Sequence, residues 1–423
     1  MADQRPATKN RKEHIVRKSK LASRREFLRK SIGAAAAFTI VPRHVLGGPN
    51  DTPPSETFGG ALIGCGGRGQ GTFGAMGLDA KLLASCDVKF LNRADNKTIY
   101  TDFRRVLERK DIDVVAIATP PHWHALISIA AMEAGKDVLC EKPMTRFIAE
   151  GRAVAEAERR YNRIFQVGTF GRFGERQKPE SVLIHKIMKS GLLKKCEAVY
   201  LYHGGFKVKE WSGKVNSQPE PVPANLDWDM YVGPSPMKPY HPHRTGGTPR
   251  GYWDYEGGGL ADMGQHYLDP FQWTYAKDDT SPVEIEAYAP PAHPEACGMW
   301  GWVELKYADG MTLVLDSDEW GQGYGRKEAR GVSLNDLDEE SRKKVEAMPD
   351  PEPLISFAEA VKTRKRPGGH AEAAHRCATL LHLANIAIRV GRKIRYDPVK
   401  EQITGDEEAN RLVNQPMRAP WHL

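Results

Sequence analysis

Short apolar runs alternate with helical stretches between residues 59 and 147. A near-continuous β-branched run at 112–120 is typical of a strand that is buried on both faces. Strands that alternate with helices predict a parallel, doubly wound sheet with the Rossmann arrangement. The predicted strands are 61–64, 81–88, 112–120 and 137–143, and the predicted helices are 71–80, 102–110 and 124–136.

The pattern changes after a predicted helix at 150–162. Longer alternating runs follow, and Ala308-Asp309-Gly310 between two of them is a hairpin signal. These runs predict a second, α+β domain on a mainly antiparallel open sheet. Residues 215–250 are rich in Pro, Gly and aromatic residues and predict a long ordered arm, and 321–331 predicts a mobile surface segment. The predicted strands are 196–206, 283–289 and 300–318.

The length of 423 residues suits two domains and a leader. We predict a leader at 1–50, a Rossmann domain at 57–147 and an α+β substrate and oligomerisation domain at 148–350. Two C-terminal helices and a tail, 351–423, are predicted to pack back on the Rossmann domain. The net charge of +7 comes from the leader, because residues 1–44 alone carry nine net positive charges. The remainder is slightly acidic, so the composition gives no reason to expect a nucleic-acid partner.

The leader contains Ser-Arg-Arg-Glu-Phe-Leu-Arg followed by an Ala-rich run, within Ser23–Phe38. This order predicts a twin-arginine export signal, a transient contact with the twin-arginine translocase and a periplasmic or otherwise exported protein. The alternative is a basic tail with a chance Arg-Arg pair. The apolar stretch Ile32–Val41 is about half the roughly 20 residues that a membrane-spanning helix needs, so no integral membrane protein is expected.

A glycine-rich loop, Gly64-Cys65-Gly66-Gly67-Arg68-Gly69, follows the first predicted strand. Bare backbone at such positions lets a dinucleotide pyrophosphate approach the loop and the start of the next helix. Asp87 ends the second strand, where a carboxylate binds ribose hydroxyls and repels a 2′-phosphate. We therefore expect NAD, with NADP as second choice because Lys89 and Arg93 lie close by. The alternatives are an ordinary glycine turn and a helix-capping aspartate.

Three further motifs are Ala-Thr-Pro-Pro-His-Trp-His at 118–124, Glu-Lys-Pro at 141–143 and the run 257–269, which contains Gly257–Gly259, Asp262, His266 and Asp269. Together with the glycine loop they resemble the Gfo/Idh/MocA family of glucose–fructose oxidoreductases and inositol dehydrogenases, and in particular its exported branch. The resemblance spans about Gly59 to Arg395. One departure is the short interval from Asp87 to Tyr100, which leaves little room for the usual crossover helix.

The resemblance implies roles for individual residues. Lys142 is expected beside the nicotinamide and the substrate hydroxyl, His266 as the base and Asp262 as the residue that positions them. The alternatives are an ordinary strand-end lysine before a turn proline, and an exposed Asp–His pair or a histidine hydrogen-bonded in the core. The resemblance also places Arg172 at the cleft. Tyr252 and Trp253 can offer flat faces to a sugar ring or can be ordinary core aromatics. No metal is expected, because the histidine pairs lack a third spaced ligand. The predicted cofactor-binding residues are Gly64, Gly66, Gly67, Arg68, Gly69, Asp87, Thr119, Pro120, His122, His124, Glu141 and Lys142.

Three functions remain open from the sequence. The first is an exported oxidoreductase that transfers a hydride between a tightly bound NAD and a secondary hydroxyl of a sugar, polyol or glycoside. The second is a glycoside-cleaving enzyme that oxidises, eliminates and reduces again, and the third is a non-catalytic sugar-binding protein. Family members pair through the second-domain sheet, so a homodimer or homotetramer is expected.

Overall fold

The computed structural model describes residues 57–89, 99–193, 195–246 and 249–423. The predicted leader with its export signal lies outside these residues, as does most of the short connection between Asp87 and Tyr100. Both sheets belong to one compact unit of the chain. In the part of the chain that the structure describes, no helix combines the length and the apolar composition that a membrane span requires.

The first sheet has six parallel strands in the order β3-β2-β1-β4-β5-β6. Its central strands are buried on both faces, as the β-branched runs predict, and helices connect the strands. The doubly wound fold is therefore confirmed. The strands are β1 (Phe58–Ile63), β2 (Ala80–Cys86), β3 (Ile99–Tyr100), β4 (Val114–Ile117), β5 (Asp137–Cys140) and β6 (Phe165–Val167). The associated helices are α1 (Gly69–Gly74), α2 (Phe103–Leu107), α3 (His124–Glu133) and α4 (Ile148–Tyr161).

The register of this sheet brings the carboxyl ends of its strands to one edge. Ile63 pairs with both Cys86 and Ile117, and Ile117 pairs with Cys140. Backbone hydrogen bonds continue one residue further, from the amide of Gly64 to the carbonyl of Cys86 and from the amide of Glu141 to that of Ile117, each 2.8 Å long. The residues that follow four strands therefore meet at the same edge.

The second sheet is mainly antiparallel, with the order β12-β11-β8-β9-β10-β7. β7 pairs parallel with β10, and the other pairs are antiparallel. The predicted hairpin at Ala308–Gly310 is confirmed, since β9 and β10 flank it and Gly310 has a φ of 97°. The strands are β7 (Val199–His203), β8 (Glu284–Tyr288), β9 (Trp302–Lys306), β10 (Thr312–Asp316), β11 (Ile394–Asp397) and β12 (Gln402–Ile403).

Helices cover the inner face of this sheet, where Ile285, Val303 and Leu313 are fully buried. The segment 321–331, predicted as a mobile surface segment, is exposed and lies across the outer face. There Arg326 pairs with Glu286 at 2.9 Å. The remaining helices are α5 (Gly171–Glu175), α6 (Pro179–Ser190), α7 (Trp228–Val232), α8 (Gly258–Thr274), α9 (Glu339–Ala347), α10 (Phe357–Thr363), α11 (Ala371–Val390) and α12 (Glu407–Asn410).

The C-terminal helices contact both halves of this unit. α10 packs with β1 and β4 through Phe357 and Val361. The first turns of α11 join the core of the parallel sheet through Ala371 and Ala374, and its later turns join the core of the second sheet. β11 and β12 then add to the second sheet, although the sequence pattern predicts no strand there, because Ile-Arg-Tyr-Asp is too short to show an alternation.

Candidate active site

A cleft of about 650 Å³ lies at the carboxyl edge of the parallel sheet. Such an edge, where loops leave neighbouring strands, is where open α/β sheets bind ligands. The second half of the chain supplies the opposite wall through residues near α7 and α8. The acidic and basic residues that line the cleft are Arg68, Asp87, Lys89, Glu141, Lys142, Arg250, Glu256 and Asp262.

The glycine loop forms the floor of the cleft, and its four glycines divide into two pairs. Gly64 has a φ of 90°, and a Cβ there would lie 2.5 Å from the backbone of Ala118; one on Gly69 would meet the Gly64 carbonyl. The protein itself therefore requires these two glycines. A Cβ on Gly66 or Gly67 would meet no heavy atom of the described residues within 4 Å, so their backbone lies open to a ligand.

Asp87 connects the end of β2 to this loop. Its Oδ2 accepts a hydrogen bond from the amide of Cys65 at 2.7 Å, and its Oδ1 accepts one from the amide of Lys89 at 2.9 Å. Glu141 makes a second connection, because its Oε1 accepts from Arg68 Nε and from the Thr72 hydroxyl, both at 2.8 Å. Two carboxylates therefore hold the loop in position.

Lys142 reaches across the cleft to α8. Its Nζ donates to Oδ1 and to the backbone carbonyl of Asp262, each at 2.9 Å, and Arg250 Nε lies 2.8 Å from the same Oδ1. Burial raises the pKa of Asp262, but the charges of Lys142 and Arg250 outweigh it and leave the pKa below its ordinary value. Asp262 is therefore ionised between two cations at neutral pH.

His266 follows Asp262 by one turn of α8 and lies outside the lining of the cleft. Its ring is half-buried, and burial, followed by the charge of Lys142, lowers its pKa below the ordinary value. The ring is therefore neutral at pH 7, the form that a proton acceptor requires. The spacing of four residues brings His266 to the helix face of Asp262, as the sequence predicts.

Glu256 is a cleft residue that the sequence analysis does not single out. It is 6% exposed, and burial, followed by the negative charge of Asp262, raises its pKa. Its Oε1 is buried and has no hydrogen-bond partner among the described residues. Its position directly before Gly257–Gly259 is the one signal that could have drawn attention to it.

Two family models match the chain. One, described as "Oxidoreductase family, NAD-binding Rossmann fold", matches residues 78–169. The other, described as "Oxidoreductase family, C-terminal alpha/beta domain", matches residues 178–423 and so spans more than half of the chain. The chain belongs to the Gfo/Idh/MocA oxidoreductase family.

Relatives within the Gfo/Idh/MocA family align with parts of the chain. A levoglucosan dehydrogenase of Pseudarthrobacter phenanthrenivorans is 37% identical over 117 residues, which is 28% of each chain. A glycosyl hydrolase family 109 protein of Shewanella pealeana is 25% identical over 46% of this chain and 49% of its own length. The chain thus spans less than half the length of these relatives.

A solved structure of the same fold is the WlbA dehydrogenase of Bordetella pertussis in complex with NADH and UDP-GlcNAcA. It is 16% identical, covers 81% of this chain and 99% of its own, and has a TM-score of 0.50. At this identity the likeness concerns the fold alone. It agrees with the pair of sheets described above.

The residues of the cleft fit a nicotinamide dinucleotide, the cofactor class of the Gfo/Idh/MocA Rossmann domain. The open backbone at Gly66 and Gly67 leaves room for a pyrophosphate, and Asp87 stands at the end of β2, where ribose hydroxyls bind. Thr119, Pro120, Glu141 and Lys142 line the same cleft. These residues would hold the cofactor, which supplies or accepts a hydride when bound.

His122 and His124 lie behind the cleft, contrary to the expectation that they bind the cofactor. His122 Nε2 is 2.8 Å from the carbonyl oxygen of Tyr231, and burial lowers the pKa of this ring to about 3. His124 lies between the carbonyl oxygens of Pro143, at 2.7 Å, and Thr119, at 2.8 Å. Both buried rings therefore stabilise the loops that line the cleft through hydrogen bonds to backbone carbonyls.

The position of Arg172 contradicts its expected place at the cleft. Its side chain is buried, and it pairs with Asp269 at 2.7 Å and with Asp278 at 2.9 Å. Both carboxylates are needed to compensate a buried guanidinium, so this group is not available to a substrate. Asp269 is thereby also a structural residue.

Tyr252 and Trp253 are likewise core residues and present no face to the cleft. The Tyr252 hydroxyl is 2.8 Å from His243 Nδ1, and the ring is 1% exposed. Trp253 donates from Nε1 to the carbonyl of His293 at 2.9 Å, with the guanidinium of Arg389 over its ring. Of the two interpretations of these aromatics, the core interpretation agrees with their positions.

The arm predicted from its composition contributes one wall of the cleft through Met230 and Tyr231 of α7. Trp123 Nε1 donates to the carbonyls of both residues, at 3.1 and 3.2 Å. The C-terminal tail holds the other side, since Arg418 pairs with Asp229 at 2.7 Å and donates from Nε to the carbonyl of Gly233 at 2.9 Å. The arm is therefore fixed against the nucleotide-binding half of the molecule.

No cluster of His, Cys, Asp and Glu side chains in the described ranges has the arrangement of a metal site. All six cysteines are buried free thiols.

Proposed function

We propose that the protein transfers a hydride between NAD and a secondary hydroxyl of a sugar, polyol or glycoside. The observation that carries this proposal is the pairing of Lys142 with Asp262 in the cleft of an NAD-binding Rossmann fold. An ammonium held there stabilises the negative charge that develops on an alcohol oxygen as the hydride leaves. The hydroxyl proton passes to an acceptor near Lys142, for which the neutral ring of His266 and the carboxyl group of Glu256 are the two candidates. The carbohydrate class is supported by the levoglucosan dehydrogenase among the relatives.

The test is a spectrophotometric assay of the purified protein. Nicotinamide absorbance is recorded while sugars, polyols and glycosides are added one at a time. A change in absorbance with one member of the panel is the expected result. No change with any member, at saturating NAD or NADP, would contradict hydride transfer.

We further propose that the cofactor is tightly bound NAD. Asp87 favours NAD because its carboxylate repels a 2′-phosphate. The arm supports slow release: its residue Asp227 donates from the backbone to the carbonyl of Val88 at 3.0 Å, which attaches the arm to the loop that follows β2. A cofactor beneath this arm leaves only when the arm detaches.

Tight binding also fits the proposed export through the twin-arginine route and a periplasmic location. A protein that crosses the membrane folded, with its cofactor inside, needs slow dissociation, hence an affinity well below micromolar. The test is to denature dialysed protein and assay the supernatant for nucleotide. Activity that depends on millimolar added NAD, with no nucleotide released, would contradict the proposal.

A second candidate function is glycoside cleavage by oxidation, elimination and reduction, with no net redox change. It is favoured by the similarity to the glycosyl hydrolase family 109 protein. Release of an aglycone from a glycoside without net change in nicotinamide absorbance would distinguish it from simple dehydrogenation.

A further inference from the structure

Glu256 and Asp262 are two carboxyl groups that line the same cleft, and the charge of Asp262 acts on Glu256. The two occupy different environments. Asp262 Oδ1 has Lys142 Nζ at 2.9 Å and Arg250 Nε at 2.8 Å, whereas Glu256 Oε1 has no partner among the described residues. Two carboxyls whose surroundings separate their proton affinities commonly divide the acid and base roles of a site.

The proton of this pair belongs to Glu256. Burial raises its pKa well above the ordinary value, and the negative charge of Asp262 raises it further. Asp262 keeps its negative charge because two cations contact it. Of the two carboxyls, Asp262 has the direct contacts with Lys142 and Arg250, so Asp262 stays ionised and Glu256 retains the proton.

The surroundings also accommodate Glu256 without its proton. Arg250 and Lys142 both act to lower its pKa, so a carboxylate formed there has two cations nearby. The other groups that face it remain neutral, since burial raises the pKa values of the Tyr231 hydroxyl and the Cys297 thiol well above their ordinary ranges. The titratable and charged groups facing Glu256 are Asp262 on α8, Arg250 in the turn Pro249–Gly251, Lys142 after β5, Tyr231 on α7 and Cys297 before β9.

We propose that Glu256 is a proton-transfer group of this cleft, donating to the substrate oxygen during ketone reduction and accepting from it during alcohol oxidation. The inference rests on the proposed function. In reduction the carbonyl carbon gains the hydride, the carbonyl oxygen gains the proton of Glu256, and the products are a secondary alcohol, oxidised nicotinamide and a Glu256 carboxylate. Oxidation reverses each transfer. Glu256 lines the cleft and His266 does not, so Glu256 is the better placed of the two.

Glu256→Gln separates proton transfer from hydrogen bonding. A glutamine amide has the size and polarity of the carboxyl group but carries no transferable proton. We expect the variant to fold and to bind NAD, and its turnover to fall by about 10² to 10⁴-fold, the usual contribution of general acid–base catalysis. A turnover within about threefold of wild type would show that Glu256 is only a hydrogen-bond partner, and would overturn the proposal.

Glu150→Gln is the matched control. Glu150 is also buried, its Oε1 also lacks a partner among the described residues, and burial likewise raises its pKa, but it lies outside the cleft. Its substitution is expected to leave turnover unchanged. An equal loss of turnover in the two variants would show that the loss comes from replacing any buried carboxyl group, and it would overturn the proposal.

Infrared spectroscopy provides a readout without substrate. The wild-type protein at neutral pH should show a protonated-carboxyl band that is absent in Glu256→Gln and retained in Glu150→Gln. An unchanged set of bands in Glu256→Gln would place the proton elsewhere and overturn the proposal. This result is independent of turnover, so an enzyme inactive on every sugar would reject the proposed function without deciding the protonation of Glu256.

Glu256→Asp keeps the proposal testable if the glutamine variant does not fold. A shortened carboxyl should retain part of the turnover, with the pH dependence of kcat shifted from that of wild type. An unchanged pH dependence would overturn the proposal.

Discussion

Lys142 is held by two oxygen atoms of Asp262, so its ammonium is oriented before any substrate binds. Such preorganisation acts on the transition state and contributes little to cofactor affinity. Lys142→Ala should therefore lower turnover by about 10² to 10³-fold while NAD binding persists. Steady-state kinetics and a separate NAD titration check the two parts.

Lys189→Ala is the control for this substitution, because Lys189 is an exposed lysine paired with Asp279 at 3.0 Å, away from the cleft. Its turnover should equal that of wild type. Near-normal turnover in Lys142→Ala would reject the assigned role.

Asp87 carries both a charge and two accepted backbone hydrogen bonds. Asp87→Ala should weaken NAD binding and relax the discrimination against NADP, because the repulsion of the 2′-phosphate is lost. Asp87→Asn retains an acceptor oxygen without the charge, so it should bind NADP better while keeping more of the NAD affinity than alanine does. Titrations of each variant with both nucleotides measure these changes, and a wild-type preference for NADP would contradict the ribose role.

Residue positions were predictable from sequence where a backbone constraint fixes them. Gly64 and Asp87 follow strands whose register is set by burial, so their meeting at one edge follows from the topology. Arg172 and Tyr252 were not predictable in this way. Both can face a cleft or a core, and the choice depends on partners such as Asp278, about a hundred residues further along the chain. Glu256 was missed because it precedes α8, so no helical spacing places it on the face of Asp262.

At the scale of the element, α7 and the C-terminal tail depend on each other. Arg418 joins them through Asp229 and Gly233. Arg418→Ala should loosen the arm and raise the NADH dissociation rate several-fold, with turnover at saturating cofactor little changed. A fluorescence chase of bound NADH with excess NAD measures this rate.

Arg392→Ala is the control, because Arg392 also forms ion pairs, with Asp406 and Glu408, but none of these residues lines the cleft. NADH should dissociate from Arg392→Ala at the wild-type rate. The same rate in Arg418→Ala would mean that the tail does not control cofactor release.

The arm illustrates what sequence reveals about elements. The content of proline, glycine and aromatic residues predicted an ordered arm at 215–250. The sequence could not show where the arm packs, because its contacts are with Trp123 and Val88, which lie about a hundred residues earlier. The strands of both sheets were predictable where runs were long. β11 was not, because its place beside β8 comes from pairing of Ile394 with Ile285 and not from a local pattern.

The stability of the whole molecule should depend on the ionisation of Glu158. Burial raises its pKa to about 7, from 4.5 in the unfolded chain. The folded state thus binds the proton more tightly, so this contribution to stability is complete below pH 4.5 and is lost as pH rises through 7. The penalty for ionisation is on the order of 3 kcal/mol at high pH.

Glu158→Gln cannot ionise, so it should be more stable than wild type at pH 8, with the advantage shrinking at pH 5. Urea denaturation of both proteins at the two pH values measures the difference. An advantage that does not change with pH would contradict the raised pKa.

We propose that the molecule assembles as a homodimer or homotetramer through the second sheet. Its inner face is covered by α8 and α11, while Tyr288 on the outer face is 36% exposed despite the segment that contains Arg326. Light scattering at micromolar concentration should give twice or four times the 47.2 kDa of one chain. A monomer would reject this proposal.

The buried helix α11 has a mechanical consequence. Ala371 and Ala374 belong to the core of one sheet, while Leu380 and Leu381 belong to the core of the other. A hinge between the two halves would have to bend this helix or expose one of its packed faces, and cores of close-packed side chains resist such deformation. We therefore expect the two walls built on these sheets to keep their separation, and we propose that a bound cofactor exchanges only when the arm detaches.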